Sequence, residues 1–234
     1  MGDVGTGKTS LAENFGDTVA REEKIDVHLY KLSLAVRGTG TVGEMSNLIT
    51  AAFDEVAEMA KKAKSINGGG RAGFILLVDE ADAIAQSREA AQMHHEDRAG
   101  VNALIKGIDR FGQEGLPAVV IMCTNRSAAL DPAIKRRAGE IIEFNRPNHE
   151  QIKGLLSHCF EGLDFNSTQI ETLAHAIGPH EPKTYGFTYS DIVQRLIPAM
   201  ILNAYPKSGL QFEKVLALSK TIVPTPPFTD RSKP

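Results

Sequence analysis

The sequence has few cysteines, no long hydrophobic run and no signal-like start. Its two cysteines, Cys123 and Cys159, lie far apart in different kinds of predicted element. This is typical of reduced thiols in the cytoplasm, and not of a disulfide or a metal pair. The longest apolar runs, Phe74–Val78 and Ala118–Cys123, are far too short to cross a bilayer. Because no basic segment followed by an apolar one opens the chain, we expect a cytoplasmic protein with no membrane partner.

The chain also lacks an excess of positive charge. Its formal net charge is −3 over 234 residues, so a nucleic-acid partner is not indicated, although a local basic patch remains open. Hydrophobic residues make up 42% and charged residues 24%, as in ordinary globular proteins. The length suits one large domain, or a domain with a small second one.

A glycine-rich octet opens the chain and matches the phosphate-binding pattern G-x-x-x-x-G-K-[ST]. Its glycines let successive backbone N–H groups converge on a phosphate, and the following helix adds its N-terminal dipole. We expect Lys8 to reach the β- and γ-phosphates of ATP and the Thr9 hydroxyl to hold Mg²⁺. The predicted nucleotide-binding residues of this stretch are Gly2, Asp3, Val4, Gly5, Thr6, Gly7, Lys8, Thr9 and Ser10.

Strand and helix patterns alternate through the first part of the chain. Gly73–Val78 and Ala118–Cys123 are continuous apolar runs, typical of strands buried on both faces of a parallel sheet. A last short strand is predicted around Ile141, Ile142 and Phe144. We therefore predict an α/β fold over residues 1–145, a three-layer αβα arrangement around a mainly parallel sheet.

The spacing of apolar residues changes after residue 145. Residues 146–222 carry only helical spacings, which predicts a small all-helical lid domain. Residues 223–234 are rich in proline, and we expect this tail to be disordered.

Two acidic residues follow the first buried strand. A phosphate-binding loop that hydrolyses nucleotide needs an oxygen ligand for Mg²⁺ and a group that positions or activates water. Asp79 is predicted to bind the nucleotide's metal and Glu80 to polarise the attacking water. Asn125 ends the next strand, at the edge where open parallel sheets bind ligands; alone it fits a water-orienting amide and a turn equally well.

Ordered motifs give the chain a resemblance to the AAA branch of the AAA+ ATPases. They are Gly73–Asp82, Val101–Asp109, Thr124–Arg126 and Leu130–Arg137. The similarity covers residues 2 to about 147 and, more loosely, the helical part after it. It implies a homo-oligomeric ring, usually a hexamer, with ATP bound at each interface between subunits.

The resemblance also implies roles for particular residues. Asn125 matches the sensor-1 position, and Arg136 and Arg137 match the arginine fingers that reach into the neighbouring subunit's site. Arg195, followed by Pro198, resembles the nucleotide-binding sensor-2 arginine of some branches, including one that remodels HORMA-domain proteins. An exposed helix-face arginine fits Arg195 equally well.

The chain departs from the family pattern in two places. The expected pore loop reads Thr41-Val42-Gly43 and has no aromatic residue, which puts the gripping of a threaded polypeptide in doubt. Only Met1 precedes the phosphate loop, although in this fold a central strand leads into it. We therefore expect the chain to be an N-terminally truncated piece of a longer one, which alone binds ATP poorly and forms no competent ring.

Taken together, these features predict an ATP-hydrolysing core that remodels a protein substrate. One alternative is a DNA-linked AAA+ helper, as in transposition or helicase loading. Another is a nucleotide-switched scaffold with little turnover. The net negative charge of the chain argues against the DNA-linked alternative. The presence of Glu80, Asn125 and Arg136, which are predicted to act in hydrolysis, argues against the scaffold.

Overall fold

The chain divides into two compact units in the computed structural model. It describes residues 1–32, 44–65, 72–84, 95–180, 185–206 and 209–228. Met1 and Lys8–Glu143 form the sheet unit, and Gly2–Gly7 and Phe144–Pro234 form the helical unit. The predicted pore loop, residues 41–43, lies outside the described residues.

A parallel sheet of the order β1-β2-β3 lies at the centre of the sheet unit. Its strands are β1 (Asp26–Leu32), β2 (Ala72–Val78) and β3 (Ala118–Met122), with Leu32 opposite Val78 and Val78 opposite Met122. The two apolar runs thus form strands as predicted, but β3 is not buried on both faces, since Val119 is 48% exposed and its other residues are half-buried. β2 is the middle strand, and its last five residues are buried.

Helices cover both faces of this sheet. They are α1 (Lys8–Glu23), α2 (Glu44–Ser65), α3 (His95–Gln113) and the short α4 (Pro132–Lys135). Alternate β2 side chains Phe74, Leu76 and Val78 share one core with α2 and α3. Leu77 points to the other face, where it packs with Ala12 of α1. The predicted three-layer αβα arrangement is confirmed.

The strand predicted around Ile141, Ile142 and Phe144 does not form. Phe144 makes one isolated parallel bridge, to Gly2, and the Met1 amino group donates to the Ile142 carbonyl at 2.7 Å. Ile141 and Ile142 are accordingly about half exposed, at 46% and 54%.

The helical unit contains the helices that the sequence predicts. They are α5 (His149–Cys159), α6 (Ser167–Ile177), α7 (Ile197–Ala204), which continues a π-helical stretch Asp191–Leu196, and α8 (Phe212–Thr221). Asn148 and Asn166 begin α5 and α6 with complete capping boxes. The buried side chains form a core of their own, separate from that of the sheet unit. None of the helices that the structure describes is long and apolar enough to span a membrane.

Residues 223–228 of the tail are held by hydrogen bonds, which differs from the disorder expected from its composition. Asp191, which is 1% exposed, accepts from the Thr225 amide at 3.0 Å and from the Thr225 hydroxyl at 2.7 Å. Pro224 is buried. Proline content alone could not reveal these polar anchors on a distant helix.

Close contact between α2 and α3 generates a testable prediction. A Cβ at Gly107 of α3 would overlap the ring of Phe53, which is 2% exposed and packs on Phe111 with ring centroids 5.0 Å apart. Gly107→Ala should therefore lower the free energy of unfolding by about 1–3 kcal/mol, as overpacked cores do.

Gly112→Ala on the same helix is the matched control, because nothing lies within 4 Å of a Cβ there. Helix propensity predicts that it is neutral or stabilising by up to about 1 kcal/mol. Urea unfolding of both variants provides the measurement. Equal effects of the two substitutions would show that the contact with Phe53 is not tight.

Candidate functional site

The phosphate-loop pattern adopts a backbone that depends on glycine. Gly5 and Gly7 have φ angles of +70° and +94°, in the region that side chains with a Cβ rarely adopt. Within the loop, the Asp3 carboxylate accepts from the Val4 amide at 2.7 Å, and the Thr6 hydroxyl donates to the Asp3 carbonyl at 2.8 Å. These hydrogen bonds fix the first turn of the loop.

Residues of the helical unit pack directly against Gly5. The Ser190 amide donates to the Gly5 carbonyl at 3.1 Å. A Cβ on Gly5 would lie 2.6 Å from the Thr188 hydroxyl oxygen and 2.9 Å from the Ser190 Cβ. Gly5 is thus required by two independent constraints, its positive φ and this close approach.

Asp3 is held by a largely buried ion pair that the sequence analysis does not identify. Arg146 Nε lies 2.7 Å from Asp3 Oδ2, and the two side chains are 15% and 18% exposed. Arg146 also donates to the Gly186 carbonyl at 2.9 Å, and its guanidinium stacks over the Tyr185 ring at 5.0 Å. The Phe228 amide donates to Asp3 Oδ1 at 2.9 Å. The Asp3 carboxylate is therefore fixed from both of its oxygens.

This environment changes the pKa of Asp3 in two opposing ways. Burial by itself raises the pKa of this carboxyl group, but hydrogen bonds from the Phe228 amide, Arg146 and the Val4 amide lower it further than burial raises it. The net pKa is below the ordinary value, so Asp3 is ionised at neutral pH. An ionised Asp3 keeps its pairing with Arg146 and holds the first turn of the loop.

The start of α1 and the end of β2 meet within the sheet unit. Lys8 is buried, with 9% of its surface exposed. The Thr9 hydroxyl donates to Asp79 Oδ1 at 3.2 Å. A hydroxyl and a carboxylate oxygen side by side are a donor set that suits Mg²⁺, which takes hard oxygen ligands and usually keeps several waters. The two residues predicted to bind metal are thus brought together.

A lysine not identified from the sequence lies beside Asp79. Lys31, near the end of β1, has its Nζ 3.9 Å from Asp79 Oδ2 and 2.7 Å from Glu13 Oε1. The hydrogen bond with Glu13 raises the pKa of Lys31, so the ammonium group stays charged. The sequence could have indicated Lys31 only through its position near the end of a predicted strand.

Glu80 has an unusual backbone conformation. Its φ and ψ are 51° and 42°, left-handed values that are uncommon for a residue other than glycine. Its amide donates to Asp79 Oδ1 at 3.0 Å, and its side chain is exposed. Such strained residues concentrate at functional sites, where the surrounding structure holds them.

Hydrogen bonds tie the end of β2 to the end of β3. The Cys123 amide donates to the Val78 carbonyl at 3.0 Å, and the Ala81 amide donates to the Cys123 carbonyl at 2.8 Å. One residue further on, the Thr124 hydroxyl donates to Asp82 at 2.8 Å. Asn125 follows directly and is half-buried, at the same edge of the sheet as Asp79 and Glu80, as predicted.

Arg136 and Arg137 differ in their surroundings. Asp131 caps α4 by accepting from the Ala133 amide at 2.7 Å, with Pro132 at the first helical position. Arg137 then makes a two-pronged pair with Asp109 of α3 at 2.6 and 2.8 Å. Arg136 is exposed. The sequence motif assigns the same role to both arginines, whereas the structure gives Arg137 an ion-pair partner within its own chain.

Arg195 belongs to the helical unit. Its Nη1 donates to Asp191 Oδ1 at 2.7 Å and to the Val223 carbonyl at 2.9 Å. Burial by itself raises the pKa of Asp191, but hydrogen bonds from Thr188, Thr225 and Arg195 outweigh it and lower the pKa. Arg195 thus contributes to the attachment of the tail, and its side chain remains 46% exposed.

Comparison with known proteins identifies relatives for both units. The family model described as "ATPase family associated with various cellular activities (AAA)" matches residues 1–146. CD-NTase-associated protein 6 of Escherichia coli strain MS 115-1 is 58% identical over 230 residues, which cover 98% of this chain and 74% of the relative.

Two solved structures resemble this chain along most of its length. One is a HORMA:CdnC:Trip13 complex from E. coli MS115-1, with a TM-score of 0.89 and 56% identity over 97% of this chain and 74% of the other. The second is a Rhizobiales Trip13, with a TM-score of 0.75 and 45% identity over 97% of this chain and 73% of the other.

The ion pair at Asp3 generates a prediction about stability. Hydrogen bonds to buried charged groups contribute about 1.5–3 kcal/mol each. A double-mutant cycle of Asp3→Asn and Arg146→Gln should therefore give a coupling energy of about 1.5–3 kcal/mol in the free energy of unfolding.

The control cycle uses Asp17→Asn and Arg21→Gln, whose side chains pair at 2.9 Å on α1 but are 65% and 79% exposed. Exposed pairs four residues apart on a helix contribute about 0.5 kcal/mol or less. If the coupling at Asp3 is no larger than in the control, the buried pair does not hold the loop.

Proposed function

Because the chain belongs to the AAA family of ATPases, we propose that it binds and hydrolyses ATP to remodel a protein substrate. The contact between the Thr9 hydroxyl and the Asp79 carboxylate at 3.2 Å carries this proposal. It joins the end of a phosphate-binding loop to the end of a buried strand, which is where this chemistry requires an oxygen cluster.

The loop supplies the binding surface for the nucleotide. The amide groups of residues 2–7 and the N-terminus of α1 bind the phosphate oxygens, and Lys8 contacts the β- and γ-phosphates. Ser10, in the first turn of α1, extends this surface. Thr9 and Asp79 hold Mg²⁺, which, when bound, neutralises the charge that develops on the transferred phosphoryl group.

Glu80 and Asn125 act on the attacking water. Glu80 accepts a proton from the water as general base, and Asn125 orients that water through its amide. The left-handed backbone of Glu80 and the hydrogen bonds between Ala81, Cys123 and Val78 support this assignment, because they fix the strand ends that carry both residues. Preorganised groups of this kind account for much of enzymatic rate acceleration.

Arg136 is the arginine that completes a neighbouring subunit's site in a homo-oligomeric ring, a hexamer in the assembly that the family resemblance implies. Arg137, paired with Asp109, holds the end of α4 against α3 so that Arg136 is presented from a fixed position. Arg195 makes both of its hydrogen bonds through Nη1, and its remaining guanidinium N–H groups contact the nucleotide in the sensor-2 role that the resemblance implies.

The target is a HORMA-domain protein. Support comes from the solved E. coli complex of HORMA, CdnC and Trip13, whose matched chain is 56% identical to this one over 97% of its length. At this identity the fold and the surfaces that bind a shared class of partner are commonly retained. The same comparison favours a protein target over the DNA-linked alternative.

The role of Glu80 has a direct test. Glu80→Gln should retain ATP binding and lose hydrolysis by about 10²–10⁴-fold, because the water loses its base while the phosphate contacts are unchanged. Lys8→Ala should instead lose binding. Nucleotide titration and phosphate release in the complete protein measure both effects. Glu22→Gln on α1, an exposed carboxylate, is the control, and unimpaired turnover by Glu80→Gln removes the assignment.

Catalysis between subunits is tested by mixing variants. Arg136→Ala subunits retain their own nucleotide sites, and Lys8→Ala subunits retain the arginine, so mixed rings should recover part of the turnover that each variant lacks. An arginine finger contributes about 10³-fold or more to turnover, which makes the recovery measurable. Arg21→Ala, which alters an exposed arginine on α1, should leave turnover unchanged. Proven mixed rings without recovery would contradict the assignment.

A further inference from the structure

Two histidines and a glutamate converge on one surface of the helical unit, apart from the residues assigned above. His149 is the first residue of α5, and Glu171 and His175 lie one turn apart on α6. Their ligand-type atoms all lie within 4.8 Å of one another. Glu171 Oε1 is 2.6 Å from His149 Nε2 and 3.6 Å from His175 Nε2, so a single oxygen faces both imidazoles.

The spacing of these atoms suits a small transition-metal ion. Zn²⁺ binds imidazole nitrogen and carboxylate oxygen at about 2.0–2.2 Å, so tetrahedral ligand atoms lie about 3.3–3.5 Å apart. The distance of 3.6 Å from Glu171 to His175 is already close to this value, and that of 2.6 Å to His149 needs to widen by less than 1 Å. Rotation of exposed side chains supplies such a shift without movement of the helices.

The other oxygen of Glu171 has a separate partner. Lys153 Nζ lies 2.7 Å from Glu171 Oε2, whereas both imidazoles pair with Oε1. This ammonium group orients the carboxylate so that Oε1 faces the histidines. Residues that hydrogen-bond to metal ligands commonly orient them in this way. Lys153 therefore need not be displaced for a metal to bind.

The backbone beneath the cluster is well fixed. Asn148 caps α5 through a complete capping box with Gln151, so His149 projects from an anchored first turn. The imidazole rings of His149 and His175 lie 4.1 Å apart between centroids. The side chain of His175 is 71% exposed and that of His149 is 29% exposed, which leaves one open side for ion entry and for a water ligand.

We propose that His149, Glu171 and His175 form a binding site for a divalent transition-metal ion of the Zn²⁺ type, which cross-links α5 to α6. The donor set of two imidazoles and one carboxylate selects such an ion over Mg²⁺, which prefers oxygen ligands in octahedral geometry. The site is independent of ATP chemistry, because none of its residues is assigned to the nucleotide.

Zn²⁺ binding to the complete protein provides the test, with competition against a chromophoric chelator in excess Mg²⁺. We expect the double variant His149→Gln, His175→Gln to bind Zn²⁺ at this site at least about tenfold more weakly than the parent protein. His158→Gln is the matched control, because His158 also lies on α5, is 84% exposed and is 4.0 Å from the carboxylate of Glu161. It should bind as the parent does.

Thermal unfolding gives a second readout that does not depend on the chelator. A ligand that binds only the folded state raises the melting temperature, so Zn²⁺ at about 100 times its dissociation constant should raise Tm by roughly 5 °C or more. The double variant should show no such rise, whereas His158→Gln should show it in full. His175→Gln alone, at a mostly exposed position, repeats the test if the double variant does not fold.

Each result of the Zn²⁺ titration and of the thermal unfolding either supports or overturns the site. Zn²⁺ binding that is equally tight in the parent protein and the double variant would place the ion at other groups and overturn the proposal. Binding weaker than millimolar in the parent would also overturn it, since the cluster would then be an ion-pair network only. Loss of binding and of the Tm shift in the double variant, but not in His158→Gln, supports the site.

Discussion

The contact between Thr9 and Asp79 is the constraint on which the candidate site depends. It requires α1 to begin beside the carboxyl end of β2, the middle strand of a parallel sheet, whose last five residues are buried. This arrangement follows from hydrophobic packing, because alternate β2 side chains are buried against helices on opposite faces. The packing of the apolar β2 side chains on both faces therefore fixes the position of Asp79 at the end of the strand.

The phosphate loop itself is held by a different set of interactions. Residues 2–7 group with the helical unit, where Asp3 pairs with Arg146 and accepts from the Phe228 amide. Phe228 belongs to the tail that Asp191 anchors through Thr225. One network of charge-assisted hydrogen bonds thus joins the loop, the tail and the π-helical stretch of the helical unit. A substitution at Arg146 or Asp191 should therefore change the conformation of the loop, although neither side chain is assigned to the nucleotide.

Much of the arrangement could be predicted from local sequence. The apolar runs of β2 and β3 act over a few residues, and both form strands as expected, although only β2 is largely buried. The partners of Asp3 and Arg137 could not be predicted, because these pairs join residues 143 and 28 positions apart and leave no periodic trace. Residues 223–228 of the tail and the segment at Ile141 differ from the prediction for a related reason: proline content and apolar alternation do not show which distant groups pair with them.

The most direct measurement is the affinity of the complete protein for ATP, with Mg²⁺ and in the presence of a chelator, for the parent protein and for Thr9→Val. This substitution keeps the branched shape of the side chain and removes only the hydroxyl that contacts Asp79. The account predicts that Mg²⁺ tightens ATP binding in the parent protein and that Thr9→Val loses this gain while retaining its metal-free affinity. An equal gain from Mg²⁺ in both proteins would contradict the claim that Thr9 and Asp79 form the metal-binding centre of the site.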